Sequence, residues 1–363
     1  MQTCRPANQH NTNQLKIEYT KMQTNPFFNK KLEAIEVNKH KSISQLLDEM
    51  AKTGFQGKKL GEAADTWSKM LRDKELTIIL GLTGSLSTTG QWKIINWLIE
   101  NRFIDVLVST GANISEDILE AMGGTYWQGS HTVDDVKLLK HKIDRFYDVF
   151  ADEMEYRKME SLIAEFINNL NSDQNYSSAE FLHLFGKELS SKGINSIVAN
   201  AYKNKVPIFC PAIVDSAYGI AHLLSLKIGN KTGVQIDEMK GFEQLVKIKS
   251  LSKDTGAIFV GGGVPKDFIQ LTTVARSLTE SRRYERIYPH KYAIQITTDS
   301  AQWGGLSGCT FEEAISWGKT SNEGTNVQCH CDATIALPII IHALAEKIEC
   351  RANYPNFEWF FKE

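Results

Sequence analysis

The chain has 363 residues, of which 42% are hydrophobic and 23% are charged, a composition typical of soluble globular proteins. Its 41 basic and 43 acidic side chains give a net charge of -2, so no overall positive field favours nucleic acid or an anionic membrane. The sequence has no long apolar run and no signal-peptide core. These features predict a cytoplasmic protein with neither nucleic-acid nor membrane partners.

The 6 cysteines are too few and too scattered for a disulfide framework, so free thiols are expected. Three potential metal ligands are adjacent at Cys329, His330 and Cys331. Alternating residues at the end of an apolar strand project to opposite faces, so these side chains cannot all ligate one ion. No metal site is therefore predicted.

The first part of the chain differs in composition from the remainder. Residues 1–40 are rich in Asn, Gln, Thr and Lys, which predicts a mobile N-terminal extension. A helical apolar stripe then follows Ser42 or Ser44 as the helix cap, and a second helix is expected around residues 63–71. No repeat or linker follows, so residues 41–363 are predicted to form a single catalytic domain. The two helices form an N-terminal helical extension that precedes the sheet.

Short apolar runs, each ending in small polar residues and followed by a helical stretch, recur along the domain. They occupy residues 76–80, 104–108, 206–209, 257–260, 292–296 and 327–329, with a further strand expected near 234–236. This alternation predicts an α/β fold, a doubly wound Rossmann-like parallel sheet with flanking helices. Residues 131–205 are expected to be helical and to cover the sheet, from the spacing of Val136, Leu139, Ile143, Phe146 and Phe150.

The turns that follow the strands are where such a sheet binds its ligands. The turn from Gly81 to Gly90 is built of small residues and enters a helix, where free N–H groups suit a pyrophosphate. It does not match G-x-G-x-x-G, and a tight turn with a hydroxyl cap is the alternative. Asp215 and Asp332 at strand ends suit ribose hydroxyls, although an N-cap is the commoner role for such residues.

A separate chemical signal lies between Thr310 and Lys319. Thr310 and Glu313 have capping-box spacing, and Gly318 is a plausible helix end. Lys319 is thus expected at a helix end beside the indole of Trp317, where it either satisfies the last helical carbonyls or serves as a Schiff-base nucleophile kept partly neutral by an apolar wall. Trp317 also offers its ring to a cationic substrate.

Ser316-Trp-Gly-Lys319, with Glu313 before it and Asp332-Ala333 after it, resembles the catalytic segment of the deoxyhypusine synthase family, including its homospermidine synthase and bacterial synthase-like branches. The similarity runs from about residue 76 to about residue 346. It implies a homotetramer, a dimer of dimers, with sites shared across a tight dimer interface.

The resemblance implies an NAD-dependent transferase of alkyl groups with no net redox. NAD removes hydride from the amine-bearing carbon of a polyamine, Lys319 captures the imine, the chain passes to an acceptor amine, and the same NADH reduces the new imine. Lys319 must be unprotonated for this exchange. The implied catalytic residues are Lys319, Glu313, Trp317 and Asp267, and the implied substrate-binding residues are Glu116, Trp303 and Gly304.

The resemblance also implies a set of NAD-binding residues. They are Gly84, Ser85, Leu86, Ser87, Thr88, Thr110, Gly111, Ala112, Asp215, Gly262, Thr298, Asp299, Ser307, Asp332 and Ala333.

The substrate channel departs from the eukaryotic pattern. Four positions that are acidic in eukaryotic members correspond here to Ser115, Ile220, Trp303 and Leu306, and Asp267 replaces the histidine base. A polycation would lose counter-charges in such a channel. We therefore expect a shorter or guanidinylated donor such as putrescine or agmatine, and a free di- or polyamine as acceptor.

Three other functions are also compatible with the sequence. The first is a genuine deoxyhypusine synthase that modifies a lysine of a translation factor with spermidine as donor. A catalytically silent binding protein is the second, although it has no need of a costly buried lysine. An NAD-linked dehydrogenase with net redox is the third, and it would accumulate NADH during turnover.

Overall fold

The computed structural model describes residues 28–229, 233–281 and 285–361. The helices are α1 Ile43–Met50, α2 Phe55–Arg72, α3 Trp92–Glu100, α4 Glu116–Ala121, α5 Asp135–His141, α6 Glu153–Asn169, α7 Ser178–Ser191, α8 Ile197–Lys203, α9 Ala217–Gly229, α10 Glu238–Leu251, α11 Val264–Glu280, α12 Phe311–Ser316 and α13 Ala333–Lys347. The strands are β1 Leu76–Leu82, β2 Val106–Ser109, β3 Tyr126–Gln128, β4 Ile143–Phe146, β5 Val149–Asp152, β6 Asn175–Tyr176, β7 Ile208–Phe209, β8 Gln235–Ile236, β9 Asp254–Val260, β10 His290–Thr297 and β11 Thr320–His330.

The main sheet has six strands in the order β11-β10-β9-β1-β2-β7, and every neighbouring pair is parallel. The chain starts in the middle with β1, builds outward to β7, and then returns beside β1 with β9 to build the other half. The order therefore reverses between β1 and β9, the place where doubly wound sheets bind ligands. The predicted fold class is confirmed.

The sheet is covered on both faces, which explains its nearly continuous apolar strands. All seven residues of β1 are buried, and their side chains alternate between the two faces. Ile78 and Leu80 belong to the larger core cluster, whereas Ile79 packs into the smaller cluster on the other face with Ile269 of α11. Helices thus cover both faces of the sheet, so the ends of the strands are the parts of the sheet that remain accessible to a ligand.

The helices before the sheet form where the sequence indicates. Ser42 caps α1 through a complete capping box with Gln45, and α2 extends from Phe55, well before the expected start. Residues 28–40 are exposed and contain no helix or strand. The remainder of the predicted extension, residues 1–27, lies outside the described residues. The prediction that residues 1–40 are mobile therefore stays a prediction.

The expected helical cover over residues 131–205 is wrong in two segments, because residues 175–176 form β6 and residues 143–152 form a hairpin. Residues 143–152 form the hairpin β4–β5, which pairs with β3 in a separate antiparallel sheet. Lys142 and Tyr147, both at φ 57°, end α5 and turn the hairpin. Leu139 is 76% exposed, so the apparent helical stripe was never a buried face, and its 3.6-residue spacing arose by coincidence.

Two strands also differ from expectation. Residues 235–236 form β8, but β8 pairs with β6 outside the main sheet. β11 begins at Thr320 and not at residue 327, and a register shift separates its first pairing with His290 from the regular ladder that starts at Tyr292. Lys319 therefore directly precedes a strand. None of the helices in the described ranges is both long and apolar enough to cross a membrane.

Candidate active site

The residues expected to bind a dinucleotide follow the carboxyl ends of the six strands of the main sheet. Residues 84–88 follow β1, 110–112 follow β2, Asp215 follows β7, Gly262 follows β9, 298–299 follow β10, and 332–333 follow β11. Because all six strands are parallel, these turns lie along one edge of the sheet. Sequence positions spread over 250 residues are thus brought to a single edge, as the predicted fold requires.

The turn after β1 is held in shape by its neighbour after β2. Gly84 has φ +78°, a conformation that favours glycine. Its carbonyl accepts hydrogen bonds from Thr110 Oγ1 and Asn113 Nδ2, each at 2.7 Å, and Asn113 Oδ1 accepts from the Leu86 amide at 2.8 Å. Thr110 therefore shapes the turn. Asn113 was missed by the sequence reasoning, because only its buried position reveals it.

Close packing between loops completes the edge. A Cβ on Gly262 would lie 2.3 Å from Ser307 Cα, and a Cβ on Gly111 would lie 2.3 Å from Ser216 Oγ. The loop after β10 thus rests directly on the turn after β9. A Cβ on Gly84 or Gly263 would meet no atom within 4 Å, so these two glycines face open space.

NAD fits this arrangement. An open glycine turn, the exposed acids Asp215 and Asp299, and hydroxyls at Thr298 and Ser307 lie along the edge where the strand order reverses. Asp332 is also exposed, but its Oδ1 accepts from the Thr334 amide at 2.7 Å and caps α13. Its N-cap role is therefore present, whether or not it also binds a ribose.

Glu116 lies beside this edge. The Ser85 hydroxyl donates to the Glu116 carboxylate, which joins a predicted substrate-binding residue to the predicted NAD-binding turn. Burial raises the pKa of Glu116 to about 7. Burial likewise raises the pKa of the adjacent Asp117 to about 7, and Asp117 Oδ2 accepts from the Ile197 amide at 2.5 Å. Two acids that titrate near neutrality thus start α4.

Lys319 belongs to a second group of predicted site residues. Its position is determined by α12 and by the turn that ends this helix. Thr310 caps α12 by accepting from the Glu313 amide at 3.2 Å. Gly318 then adopts φ +68°, which turns the chain so that Lys319 leaves the helix. The side chain is 12% exposed and its Nζ lies 2.9 Å from Asp267 Oδ1 and 5.3 Å from the centroid of the Trp317 ring.

The ammonium group of Lys319 therefore forms an ion pair with the Asp267 carboxylate and does not cap the last carbonyls of the helix. Lys319, Asp267 and Trp317, three of the predicted catalytic residues, come together in space. The side chain of Trp317 is itself 65% exposed. This pairing of an enclosed amine with a carboxylate suits proton transfer to and from the amine.

Other predicted residues are not brought to Lys319. Glu313 and Trp303 are exposed, and Gly304 ends a short 3-10 helix with φ +69°. Ser115 is fully buried and donates to the Gly111 carbonyl at 2.9 Å. In the described parts of the chain, no hydrogen bond or ion pair joins Lys319 to Glu116. The two residues belong to different halves of the sheet, since the Lys319 side chain reaches Asp267 on α11, which follows β9, whereas Glu116 follows β2 on the other side of β1.

Lys266 was missed by the sequence reasoning. It is 1% exposed, and its Nζ donates to Gln295 Oε1 at 3.0 Å, the Leu306 carbonyl at 3.2 Å and the Cys309 carbonyl at 2.8 Å. Burial lowers the pKa of Lys266, and the positive charge of Lys319 lowers it further. This lysine ties the loop after β10 to the sheet. The sequence offered one indication of its role, since Lys266 follows a turn of glycine and apolar residues and directly precedes Asp267.

The strand order and the open edge place the chain among the doubly wound α/β proteins, with an enclosed lysine as an additional feature. The family model described as deoxyhypusine synthase matches residues 45–344. The chain belongs to the deoxyhypusine synthase family, whose members are transferases.

Several curated relatives match over nearly their whole length. "Probable deoxyhypusine synthase 2" of Archaeoglobus fulgidus is 52% identical over 85% of this chain and 99% of its own. The protein of the same name from Methanosarcina mazei is 46% identical over 93% of this chain and 96% of its own. The "Deoxyhypusine synthase-like protein" of Chlorobaculum tepidum is 40% identical over 89% of this chain and 92% of its own.

A solved structure supports the fold. The chain is similar to a "putative deoxyhypusine synthase" from Entamoeba histolytica, with a TM-score of 0.61, 18% identity, and coverage of 89% of this chain and 99% of that chain. Identity this low speaks for the fold alone.

Proposed function

We propose that this protein is an NAD-dependent transferase that moves an aminobutyl-type group from a polyamine donor, through an imine on Lys319, to the amine of a free di- or polyamine. The observation that carries the proposal is the placement of the Lys319 amine, 12% exposed and 2.9 Å from Asp267, beside an indole ring. At this distance Asp267 can exchange a proton directly with the amine.

The roles of the side chains follow from this geometry. Asp267 takes a proton from Lys319, and the freed amine attacks the imine carbon derived from the donor. The amine that leaves the donor carries a proton away, and Lys319 is then bound to the transferred chain through a C=N bond. The acceptor amine attacks the same carbon and releases Lys319. NAD, when bound, supplies the hydride acceptor at the start and the hydride donor at the end, so no net redox occurs.

The binding residues complete the proposal. The turn from Gly84 to Thr88 and the residues at the other strand ends hold NAD, and Glu116 connects the cofactor to the donor. Trp317 contributes its ring face to the cationic donor. Trp303 is 78% exposed and Trp317 is 65% exposed, more than large aromatic side chains at a site usually are. This exposure supports a homotetramer in which a second subunit covers each site.

The preference for a free amine as acceptor rests on the channel positions. Ser115 is sealed in the interior by its bond to Gly111, while Ile220 presents apolar surface. A long polycation would find few counter-charges there. The alternative is a genuine deoxyhypusine synthase that uses spermidine to modify a protein lysine, and the names of the relatives from Archaeoglobus fulgidus and Methanosarcina mazei favour it.

The reaction can be tested directly. Purified protein with NAD is incubated with putrescine, agmatine or spermidine, and borohydride is added to reduce any imine. Mass spectrometry of the peptides is expected to show an alkylamine adduct on Lys319 and a free polyamine product. Lys319→Ala should abolish the adduct, whereas Lys253→Ala at an exposed position should leave it unchanged.

Each competing function gives a different result. Spermidine as the only productive donor, with a translation factor as the only acceptor, would establish the genuine deoxyhypusine synthase. Steady accumulation of NADH beyond one equivalent per site would establish a dehydrogenase. Absence of any adduct or product with every amine would leave a binding protein.

A further inference from the structure

A small antiparallel sheet that has no part in the proposed reaction lies beside Glu116. It consists of β3, β5 and β4. Together with α6 it forms an aromatic cluster, in which the rings of Tyr126 of β3, Phe146 of β4 and Tyr156 of α6 contact one another with centroids between 6.0 and 6.5 Å apart. The hydroxyls of the two tyrosines meet at 3.1 Å. This hydroxyl pair is the part of the small sheet that reaches the candidate active site.

Both hydroxyls are directed at Glu116. Tyr126 donates to the Glu116 carbonyl at 2.9 Å, and the Tyr156 hydroxyl forms a hydrogen bond with the Glu116 carboxyl. From the other side, the Ser85 hydroxyl donates to the same carboxyl. Glu116 is therefore held at its backbone by one tyrosine and at its side chain by the other, and both belong to elements outside the main sheet.

The number of hydroxyl hydrogens makes this arrangement depend on the charge of Glu116. Burial raises the pKa of both tyrosines, so each carries one hydrogen at neutral pH. Tyr126 gives its hydrogen to the Glu116 carbonyl. Tyr156 can therefore donate to Tyr126 or to Glu116, but not to both. An ionised Glu116 only accepts, and it takes this hydrogen. A protonated Glu116 donates to the Tyr156 oxygen instead, and Tyr156 then donates to Tyr126.

The charged groups around this network are acids. Asp117 of α4 acts on Glu116, and Asp144 of β4 acts on Tyr156. Within the described ranges no basic side chain forms an ion pair with Glu116. Burial raises the pKa of Glu116 to about 7, and the hydrogen bonds from Ser85 and Tyr156 act in the opposite direction. Hydroxyl donors are thus the groups that favour the ionised form of Glu116.

We propose that Tyr156 is a positioning residue, which holds the Glu116 carboxylate for the ammonium group of the donor by transferring its hydrogen bond from Tyr126 to Glu116 when Glu116 ionises. An ionised carboxylate attracts an ammonium ion, whereas the protonated acid carries no charge. Tyr156 thereby helps to set the pH above which the donor binds. The connection with the donor rests on the proposed function, but the effect of Tyr156 on Glu116 does not.

The protonation of Glu116 can be measured without turnover. Infrared difference spectra of the full-length protein, recorded from about pH 5 to about pH 9, report the C=O stretch of protonated carboxyl groups, and the band that is missing in Glu116→Gln belongs to Glu116. Tyr156→Phe keeps the ring but removes the hydroxyl, so the midpoint of this band should rise by about one pH unit. Tyr126→Phe leaves Glu116 as the only partner of Tyr156, so the midpoint should fall.

Tyr176→Phe is the matched control. Tyr176 is a buried tyrosine of β6, and its hydroxyl donates to the Asn171 carbonyl, so the Glu116 midpoint should not move in this variant. A purely structural role of the tyrosines would not shift the midpoint in opposite directions in Tyr156→Phe and Tyr126→Phe. If the midpoint stays unchanged in Tyr156→Phe, or rises equally in both variants, the role given to Tyr156 is wrong.

Kinetics test the connection with the donor. The KM for putrescine or spermidine should rise as the pH falls through the Glu116 midpoint, and in Tyr156→Phe this rise should begin about one pH unit higher. At about pH 9 the KM of the variant should match that of the parent protein, because Glu116 is then ionised in both. If the infrared midpoints move as expected while no amine is turned over, or while the KM does not follow them, Tyr156 still controls the charge of Glu116 and the donor-binding role of Glu116 in the proposed function fails.

Discussion

At the scale of single residues, the position of Lys319 is the product of three neighbours. Thr310 starts α12, Gly318 ends it with a left-handed backbone, and Asp267 receives the ammonium group at 2.9 Å. The first two are local signals and could be read from the sequence. Asp267 is 52 positions away in the chain, and only the resemblance to the family associated it with the lysine.

Asp267→Asn tests this partnership. The amide keeps the shape of the side chain but cannot take a proton from Lys319, so kcat is expected to fall by about 10²–10⁴-fold while the affinity for NAD stays the same. Steady-state kinetics and NAD titration measure the two quantities separately. Asp65→Asn, at an exposed site on α2, is the matched control. Equal loss of kcat in both variants would contradict the role given to Asp267.

A second residue-scale prediction concerns pH. Asp117 is fully buried, and its pKa is raised from 3.8 to about 7 in the folded protein. Between about pH 4 and pH 7 the folded state keeps a proton that the unfolded state has lost, so this group lowers the free energy of unfolding as the pH rises through that window. Above pH 7 the contribution no longer changes.

Asp117→Asn should therefore flatten the fall in stability between pH 4 and pH 7, by up to about 4 kcal/mol, since one pKa unit corresponds to about 1.4 kcal/mol. Urea unfolding at several pH values measures this. Glu116 and Glu238 contribute in the same direction, because burial also raises their pKa values to about 7, so some slope remains. If the free energy of unfolding of Asp117→Asn falls with pH as steeply as that of the parent protein, the raised pKa of Asp117 would be contradicted.

At the scale of elements, α11 organises the functional region. Its first turns hold Lys266, which ties down the loop after β10, then Asp267, which pairs with Lys319, and then Phe268 and Leu271, which line a cavity of about 670 Å³ against α10. Sequence periodicity located the flanking strands and the helix. It could not show that consecutive residues of one helix serve three purposes, because that depends on which loops and helices pack around it.

Lys266→Met tests the function of this element. The variant keeps the apolar stem but leaves the Gln295, Leu306 and Cys309 acceptors without their common donor, at a cost of about 3 kcal/mol. The loop that carries Ser307 should loosen, so NAD affinity is expected to fall as well. Chemical unfolding and NAD titration measure the two effects. Lys69→Met, whose parent side chain is 52% exposed, should change neither quantity appreciably.

The elements that sequence reasoning missed have a common cause. The hairpin β4–β5 depends on left-handed residues at Lys142 and Tyr147, residue types that carry no turn signal, unlike glycine or asparagine. The early start of β11 depends on pairing between Thr320 and His290, a contact between distant parts of the chain. The six main strands were found because each is an apolar run bounded by small residues.

At the scale of the whole molecule, the main question is how the two halves of the candidate site meet. Lys319 lies before the first residue of β11, whereas Glu116 and the turn at Gly84 follow the carboxyl ends of β2 and β1. A cyclic dimer, in which each subunit offers the same surface to its partner, would bring one half from each chain. The exposed rings of Trp303 and Trp317 are then covered on assembly.

Mixing two inactive variants tests this arrangement. Lys319→Ala and Glu116→Gln should each lack transferase activity when expressed alone. Co-expressed, they should recover about a quarter of the parent activity if the two residues serve one site from different subunits, because half of the dimers are mixed and each mixed dimer has one intact site of two. A mixture that stays inactive would place both residues in the site of a single chain.

Because β11 is an edge strand, we expect it to separate from the sheet before the central strands do when the protein is heated. β11 pairs within the main sheet with β10 alone, whereas β1 is held between β9 and β2. Edge elements detach at a lower free energy than central ones. Detachment would carry Lys319 away from Asp267 while the middle of the sheet stays intact. Turnover should therefore be lost several degrees before circular dichroism reports melting, and amide protons of β11 should exchange ahead of those of β1.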